Sequence, residues 1–255
     1  MNLEKRYSLL KKAQQNVALQ NLLIEYCRRD INFWFNTFCW TFDPRQGDPE
    51  IPFLLYPYQS WFVREIEARI DAQQDWGIEK SRDMGVSWMV MLTLQHGWLF
   101  KPGWNIHVGS RKESEVDTSI VDPSTLFGKF RYNLNRLPPW MRPNVRDKKL
   151  SLLNLNNENL LSGESANPAF GRGHRQRCIF LDELAFWDAA DAAYGSASET
   201  TRSRGVTSTP YGDNNRFARL MNDPNNIIHL WPLEQNFESD RDNASQISTS
   251  LDDAS

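Results

Sequence analysis

Leucines at helical spacing (Leu9, Leu10, Leu19, Leu22, Leu23) in otherwise polar residues 1–30 predict one or two amphipathic helices. The aromatic run Phe33-Trp34-Phe35-Asn36-Thr37-Phe38-Cys39-Trp40 is expected to pack that piece onto the main body, and Asp43-Pro44-Arg45-Gln46-Gly47-Asp48-Pro49 is turn chemistry at the expected boundary. Beyond it, Tyr56-Pro57-Tyr58-Gln59 enters a helical pattern and Ile78 closes a short strand. Val86 to Phe100, almost free of charge and without proline, predicts a buried helix. A strand over Trp104 to Gly109, a helix within 112–121 and a hairpin or two short strands over Leu150 to Leu161 come next. Arg177-Cys178-Ile179-Phe180-Leu181 reads as an apolar strand, followed by a helix through Ala189 to Ala193, a strand ending at Val206, a helix from Asn215 to Met221 and a last strand at Ile227-Ile228-His229-Leu230-Trp231. Strands alternating with helices predict an α/β fold, a mostly parallel sheet with helices on its faces, whose ligands sit beyond the carboxyl ends of the strands. The expected division is residues 1–49 as a helical, aromatic, lid-like region, 50–233 as the main domain and 234–255 as a polar tail or truncated linker.

Composition narrows this picture. With 255 residues, 40% hydrophobic and 12% aromatic, the chain can bury a real core. A formal charge of −3 gives no global attraction to nucleic acid or anionic membranes, so any such contact requires a local patch. Cys27, Cys39 and Cys178 are odd in number and widely spaced, which suits a reducing compartment. His96, His107, His174 and His229 are equally scattered, against a His/Cys metal site. No apolar run approaches membrane-spanning length, and a soluble, intracellular protein is expected.

The chemistry centres on Glu79-Lys80-Ser81-Arg82-Asp83-Met84-Gly85-Val86-Ser87. A phosphate-binding loop (P-loop, Walker A) reads Gly-x-x-x-x-Gly-Lys-Ser/Thr between a strand and a helix. Here Gly85 and Ser87 hold the second glycine and hydroxyl positions, Lys80 stands in place of the first glycine and Val86 in place of the lysine. The physical requirements are backbone N–H groups, a hydroxyl for Mg²⁺ and a cation within reach of the phosphates. Lys80 at the mouth of the loop can fold back to supply that cation, and Arg82 within it can stabilise charge on the transferring group.

Three further stretches fit one site. The strand ending in Asp182-Glu183, a Walker B pattern, offers one acid for the Mg²⁺ shell and one to polarise water. Thr207-Ser208-Thr209, stopped by Pro210, can sense the γ-phosphate through short hydrogen bonds. Tyr58 can stack on a base and Gln59 can pair with adenine. Gly171-Arg172-Gly173-His174-Arg175-Gln176-Arg177 is a basic loop able to reach a neighbouring subunit's nucleotide or a nucleic-acid backbone.

With these pieces in this order, the sequence resembles the ATPase domain of the large terminase subunit, the DNA-packaging motor of tailed bacteriophages, from about Tyr56 to Trp231. The displaced lysine is the most specific part. The resemblance implies a P-loop NTPase of the additional-strand type (ASCE, RecA/helicase-like) that binds ATP and Mg²⁺. It implies nucleotide binding by Lys80, Ser81, Arg82, Asp83, Met84, Gly85, Val86, Ser87, Tyr58 and Gln59, and metal binding by Ser87 and Asp182. Glu183 becomes the catalytic glutamate, Arg172 the arginine finger given to a neighbour (Arg175 and Arg177 lie close by), and Thr207, Ser208 and Thr209 the coupling motif. It further implies double-stranded DNA, portal protein and a small terminase subunit as partners, a homo-oligomeric ring on the capsid with a monomer in isolation, and the host cell cytoplasm. Residues after the last expected strand are too few for a nuclease domain, so no nuclease activity is expected. The alternatives are a helicase-like nucleic-acid ATPase and a catalytically weak module that binds DNA or portal.

Overall fold

The computed structural model describes residues 1–80 and 85–223. Three helices open the chain: α1 (Leu3–Ala13), α2 (Val17–Arg29) and α3 (Ile31–Phe38), with Asn2, Asn16 and Asp30 as side-chain caps. The aromatic run forms α3 and buries Trp34, Phe35 and Phe38. Strands β1 (Trp40–Phe42) and β2 (Glu50–Pro52) pair antiparallel, so residues 43–49 are the turn between them.

The helix α4 (Pro57–Asp71) leads to β3 (Trp76–Glu79), α5 (Val86–Phe100) and β4 (Ile106–Ser110). Next come α6 (Glu113–Val116), α7 (Leu126–Arg136), β5 (Val145–Lys148), β6 (Ser151–Asn154) and β7 (Leu160–Ser165). The described part closes with β8 (Cys178–Asp182), α8 (Ala190–Ala197), β9 (Arg204–Ser208) and α9 (Arg216–Met221). One seven-stranded sheet has the order β3-β9-β8-β4-β7-β6-β5. Its first five strands are parallel, and β6 and β5 add an antiparallel edge. This is the α/β architecture expected from the alternation of elements.

Two apolar layers flank the sheet, and β8 shows why. Its five residues are all buried; Cys178 and Phe180 join the layer formed with α2 to α5 and α7, while Ile179 and Leu181 join the layer formed with α8 and α9. The helix α5 is apolar nearly all round and lies in the first layer, where Gly97 lets Trp104 pack against its backbone: a Cβ there would lie 1.8 Å from the ring. Charged groups at the rim of this layer are paired across elements. Arg131 on α7 donates to both oxygens of Asp117, at 2.6 and 3.1 Å, and to Asp147 at 2.8 Å, tying α7 to the β5–β6 edge.

The last expected strand (Ile227 to Trp231) and residues 234–255 lie outside the described residues. The helix expected within 112–121 is confined to α6, because Asp117 leaves the helical region and its side chain turns to Arg131. Sequence reading passed over α7 and β5.

Candidate active site

The strand β3 points Lys80 at the carboxyl edge of the sheet, where the Lys80 amide donates to the Ser208 carbonyl at 3.1 Å. Ser81, Arg82, Asp83 and Met84 lie outside the described residues. The chain resumes at Gly85, whose φ of 69° is left-handed; a glycine adopts this at no steric cost and turns the chain into α5. Val86 is buried and Ser87 occupies the first turn of α5.

The Lys80 ammonium donates to Ser87 Oγ at 3.2 Å and Asp182 Oδ1 at 3.4 Å, and pairs with Glu183 Oε1 at 3.0 Å. Only 11% of the Lys80 side chain and 12% of the Asp182 side chain remain exposed, against 31% for Glu183. Burial alone would depress the Lys80 pKa; the fields of Asp182 and Glu183 and their hydrogen bonds outweigh it and hold the ammonium above its usual value.

The other two sequence motifs meet the same acids. Thr207 Oγ1 donates to Asp182 Oδ1 at 2.6 Å, and Ser208 Oγ donates to Glu183 Oε2 at 3.2 Å. They can do so because β9 lies beside β8, with Asp182 opposite Thr207. Glu183 has φ 55° and ψ 41°, a left-handed conformation that costs a non-glycine residue about 1–2 kcal/mol. The strain is held by a short 3₁₀ turn (Leu184–Phe186) and by the Trp187 indole N–H, which donates to the Asp182 carbonyl at 2.9 Å. A cavity of about 350 Å³ opens in front, with Ser110, Ser124, Asp182, Glu183 and Thr209 in its wall.

The donor set suits Mg²⁺. Ser87 Oγ and Asp182 Oδ1 already converge on one cation, the Lys80 ammonium. Among the described residues no cluster of three or more His, Cys, Asp or Glu forms an all-protein cage. A hard cation bound by one carboxylate, one hydroxyl and phosphate oxygens needs none.

Three expected members stand apart. Gln59 is 5% exposed, and its Oε1 accepts the Tyr56 amide at 3.0 Å in a capping box at the start of α4; the Tyr58 ring stacks on Tyr56. Neither Tyr58 nor Gln59 lines the cavity in front of Asp182. Arg172 is exposed, and its Nε donates to Ser196 Oγ at 3.2 Å on α8. The root of its loop is fixed on both sides: the Gly171 amide donates to Glu164 Oε1 at 2.7 Å, and Thr200 Oγ1 donates to the Gly171 carbonyl at 2.7 Å. Burial would raise the Glu164 pKa, but hydrogen bonds from His107 and from that amide lower it.

Sequence reading missed Lys129, on α7 beside the cavity wall, and the His107–Glu164 pair on neighbouring strands (2.9 Å). A signal for α7 existed: Thr125 followed by Leu126, Phe127, Phe130 and Leu134 is a cap with helical apolar spacing. Nothing local marks His107, because its partner lies across the sheet.

No family model and no curated protein sequence matches the chain. Among solved structures it is similar to the large terminase of bacteriophage HK97, at 17% identity and TM-score 0.55, over 76% of this chain and 40% of that one. A Thermus phage P74-26 large terminase ATPase domain aligns less closely, at 17% identity and TM-score 0.44, over 69% of this chain and 86% of that one. The chain thus shares its fold with part of a phage large terminase and spans 40% of the HK97 protein's length.

Proposed function

We propose that this chain is the ATP-hydrolysing motor domain of a phage large terminase, driving double-stranded DNA into a procapsid. The observation that carries the reading is the Lys80 ammonium, which joins Ser87, Asp182 and Glu183 at the carboxyl edge of a parallel sheet. That edge is where such sheets bind ligands, and the lysine is the one the resemblance places there. In this reading Lys80 neutralises the phosphates, with Arg82 and the loop amides of 81–85 around them. Ser87 and Asp182 would hold Mg²⁺, which would supply charge neutralisation to the phosphates. Glu183 orients the attacking water and accepts its proton at the carboxylate. Thr207, in contact with Asp182, and Ser208, in contact with Glu183, report the loss of the γ-phosphate to β9; Thr209 extends the motif into the cavity wall.

Tyr58 and Gln59 serve the adenine, with Gln59 using its amide N–H₂ because its carbonyl caps α4. Arg172 projects from its clamped loop toward a neighbouring copy in a homo-oligomeric ring. Portal protein and a small terminase subunit are the other partners, and the work is done in the host cell cytoplasm. The test is ATP turnover with DNA and portal present. Glu183→Gln should bind ATP and lose at least about 100-fold in turnover, and Arg172→Ala should lose about 1,000-fold or more in assembled chains. Turnover indifferent to Glu183 overturns the enzymatic reading; indifference to Arg172 alone overturns only the finger.

A further inference from the structure

Lys129 is a buried cation that the mechanism above leaves unused. It lies in the second turn of α7, and its side chain bends back toward the helix start, as helical side chains do. There Nζ donates to the Ser124 carbonyl at 2.8 Å and more weakly to the Thr125 carbonyl at 3.4 Å. The residue is 8% exposed. Among the described residues no carboxylate lies within ion-pair distance of it, and its other close neighbour is the Trp88 ring, 5.8 Å from the ammonium. Among the described residues, Asp182 and Asp122 favour the ammonium from further away and Lys80 opposes it. The start of α7 is itself the positive end of a helix dipole, the wrong sign for a neighbouring cation.

A charge kept from water without a counter-ion is costly, and side chains of this kind are neutralised or paired unless something else supplies the opposite charge. Burial pushes the Lys129 pKa down to about 8, so the group remains mostly charged at neutral pH. Ser124, whose carbonyl holds the ammonium, lines the same cavity as Asp182, Glu183 and Thr209. Among the described residues the acids of that cavity are already engaged, Asp182 and Glu183 by Lys80, Thr207 and Ser208, and Glu115 by Arg111 and Ser110, so an anion entering the cavity would supply the opposite charge.

We infer that Lys129 is an anion-recognition residue of this pocket, a second lysine that supplies counter-charge to the phosphates of a bound nucleoside triphosphate from the α7 side. This rests on the ATP reading above. It also conflicts with a purely structural account, in which Lys129 only ties down the Ser124–Thr125 turn. The two accounts predict opposite effects on the empty protein. A turn fastener, once removed, lowers stability. A charge held for a ligand, once replaced by an isosteric apolar chain, leaves the ligand-free protein as stable or more so and weakens anion binding.

The experiment compares wild type, Lys129→Met and Lys129→Arg in the full chain by thermal melting without ligand, and by titration with Mg·ATP, pyrophosphate and inorganic phosphate. The expected result is an unchanged or raised melting temperature for Lys129→Met without ligand, at least tenfold weaker Mg·ATP binding, and affinity largely kept in Lys129→Arg. Wild-type affinity should also fall above about pH 8, as the ligand-free ammonium loses its proton, with no such fall in Lys129→Met. Unchanged affinity in Lys129→Met, or a lowered melting temperature without ligand, overturns the inference. If wild type binds pyrophosphate through Lys129 but not ATP, the anion site stands and the ATP reading falls. If wild type binds none of the three ligands, both fall.

Discussion

Replacing Lys80 with methionine tests the geometry of the site without any assay of activity. The substitution keeps the length of the side chain and removes one ammonium that serves Ser87, Asp182 and Glu183 at once. Removing one partner of a buried ion pair costs about 3–5 kcal/mol, because the surviving charge is left without compensation. Asp182 approaches that limit; Glu183 is nearly a third exposed, so water takes over part of its share. Asp182 also keeps its bond from Thr207. The expected net loss is therefore about 2–4 kcal/mol, read from urea unfolding of the nucleotide-free chain. Its pH dependence follows from the direction of the shift. The folded Lys80 pKa is raised, so its contribution is complete below the unfolded lysine value of about 10.5 and disappears only as pH rises through the folded value. The deficit should thus be flat from pH 6 to 9. A double variant, Lys80→Met with Asp182→Asn, should recover about 1–3 kcal/mol of the loss. A loss below about 0.5 kcal/mol in Lys80→Met, the size of an ordinary surface substitution, would show that the ammonium is not lodged between the two acids and would remove the basis of the proposed function.

Arg131→Leu should cost about 3–5 kcal/mol at pH 7 in urea unfolding, because it strands the Asp117 carboxylate, whose side chain is fully buried. Burial would raise the Asp117 pKa, but the Arg131 hydrogen bonds and the Leu150 and Ser119 amides lower it; its contribution is present above the unfolded value near 3.8 and is lost as pH falls through the folded value, so wild type and Arg131→Leu should converge in acid. Gly97→Ala drives a methyl group into the Trp104 ring and should destabilise by about 1–3 kcal/mol or more, seen as a lowered melting temperature with the Trp fluorescence environment altered.

Legibility from sequence followed the kind of force involved. The helix α5 and the strand β8 were legible because burial on all sides leaves a long, nearly uncharged and mostly apolar run, and β9 because Pro210 stops it. The helix α7 was not, although its cap and spacing are regular, because Lys129, Arg131 and Asn133 are buried in it. Arg131 and Asn133 are held by partners distant in sequence, Asp117 and Gln95, which no local pattern announces, and Lys129 folds back onto the Ser124 carbonyl. The strand β5 is polar and largely exposed at the sheet edge, so periodicity has little to act on. For the site, the individual motifs were readable, but the contact between Lys80 and Asp182, 102 positions apart, came from topology: β3 and β8 both flank β9 and end at one edge. That Gln59 would spend its carbonyl on its own helix could have been read from the spacing Tyr56-x-x-Gln59, a capping pattern.

The double anchoring of Gly171 limits how far the basic loop can travel. Residues 172–176 run between that fixed point and Arg177, whose amide is bound to the Asn105 carbonyl at 2.7 Å. A chain so short, fully stretched between two posts, can lift its apex by no more than roughly 10 Å. Its arginines are therefore a short-range probe: they can touch another molecule only after broad surfaces have docked flush, and a loosely tethered companion would stay beyond their grasp.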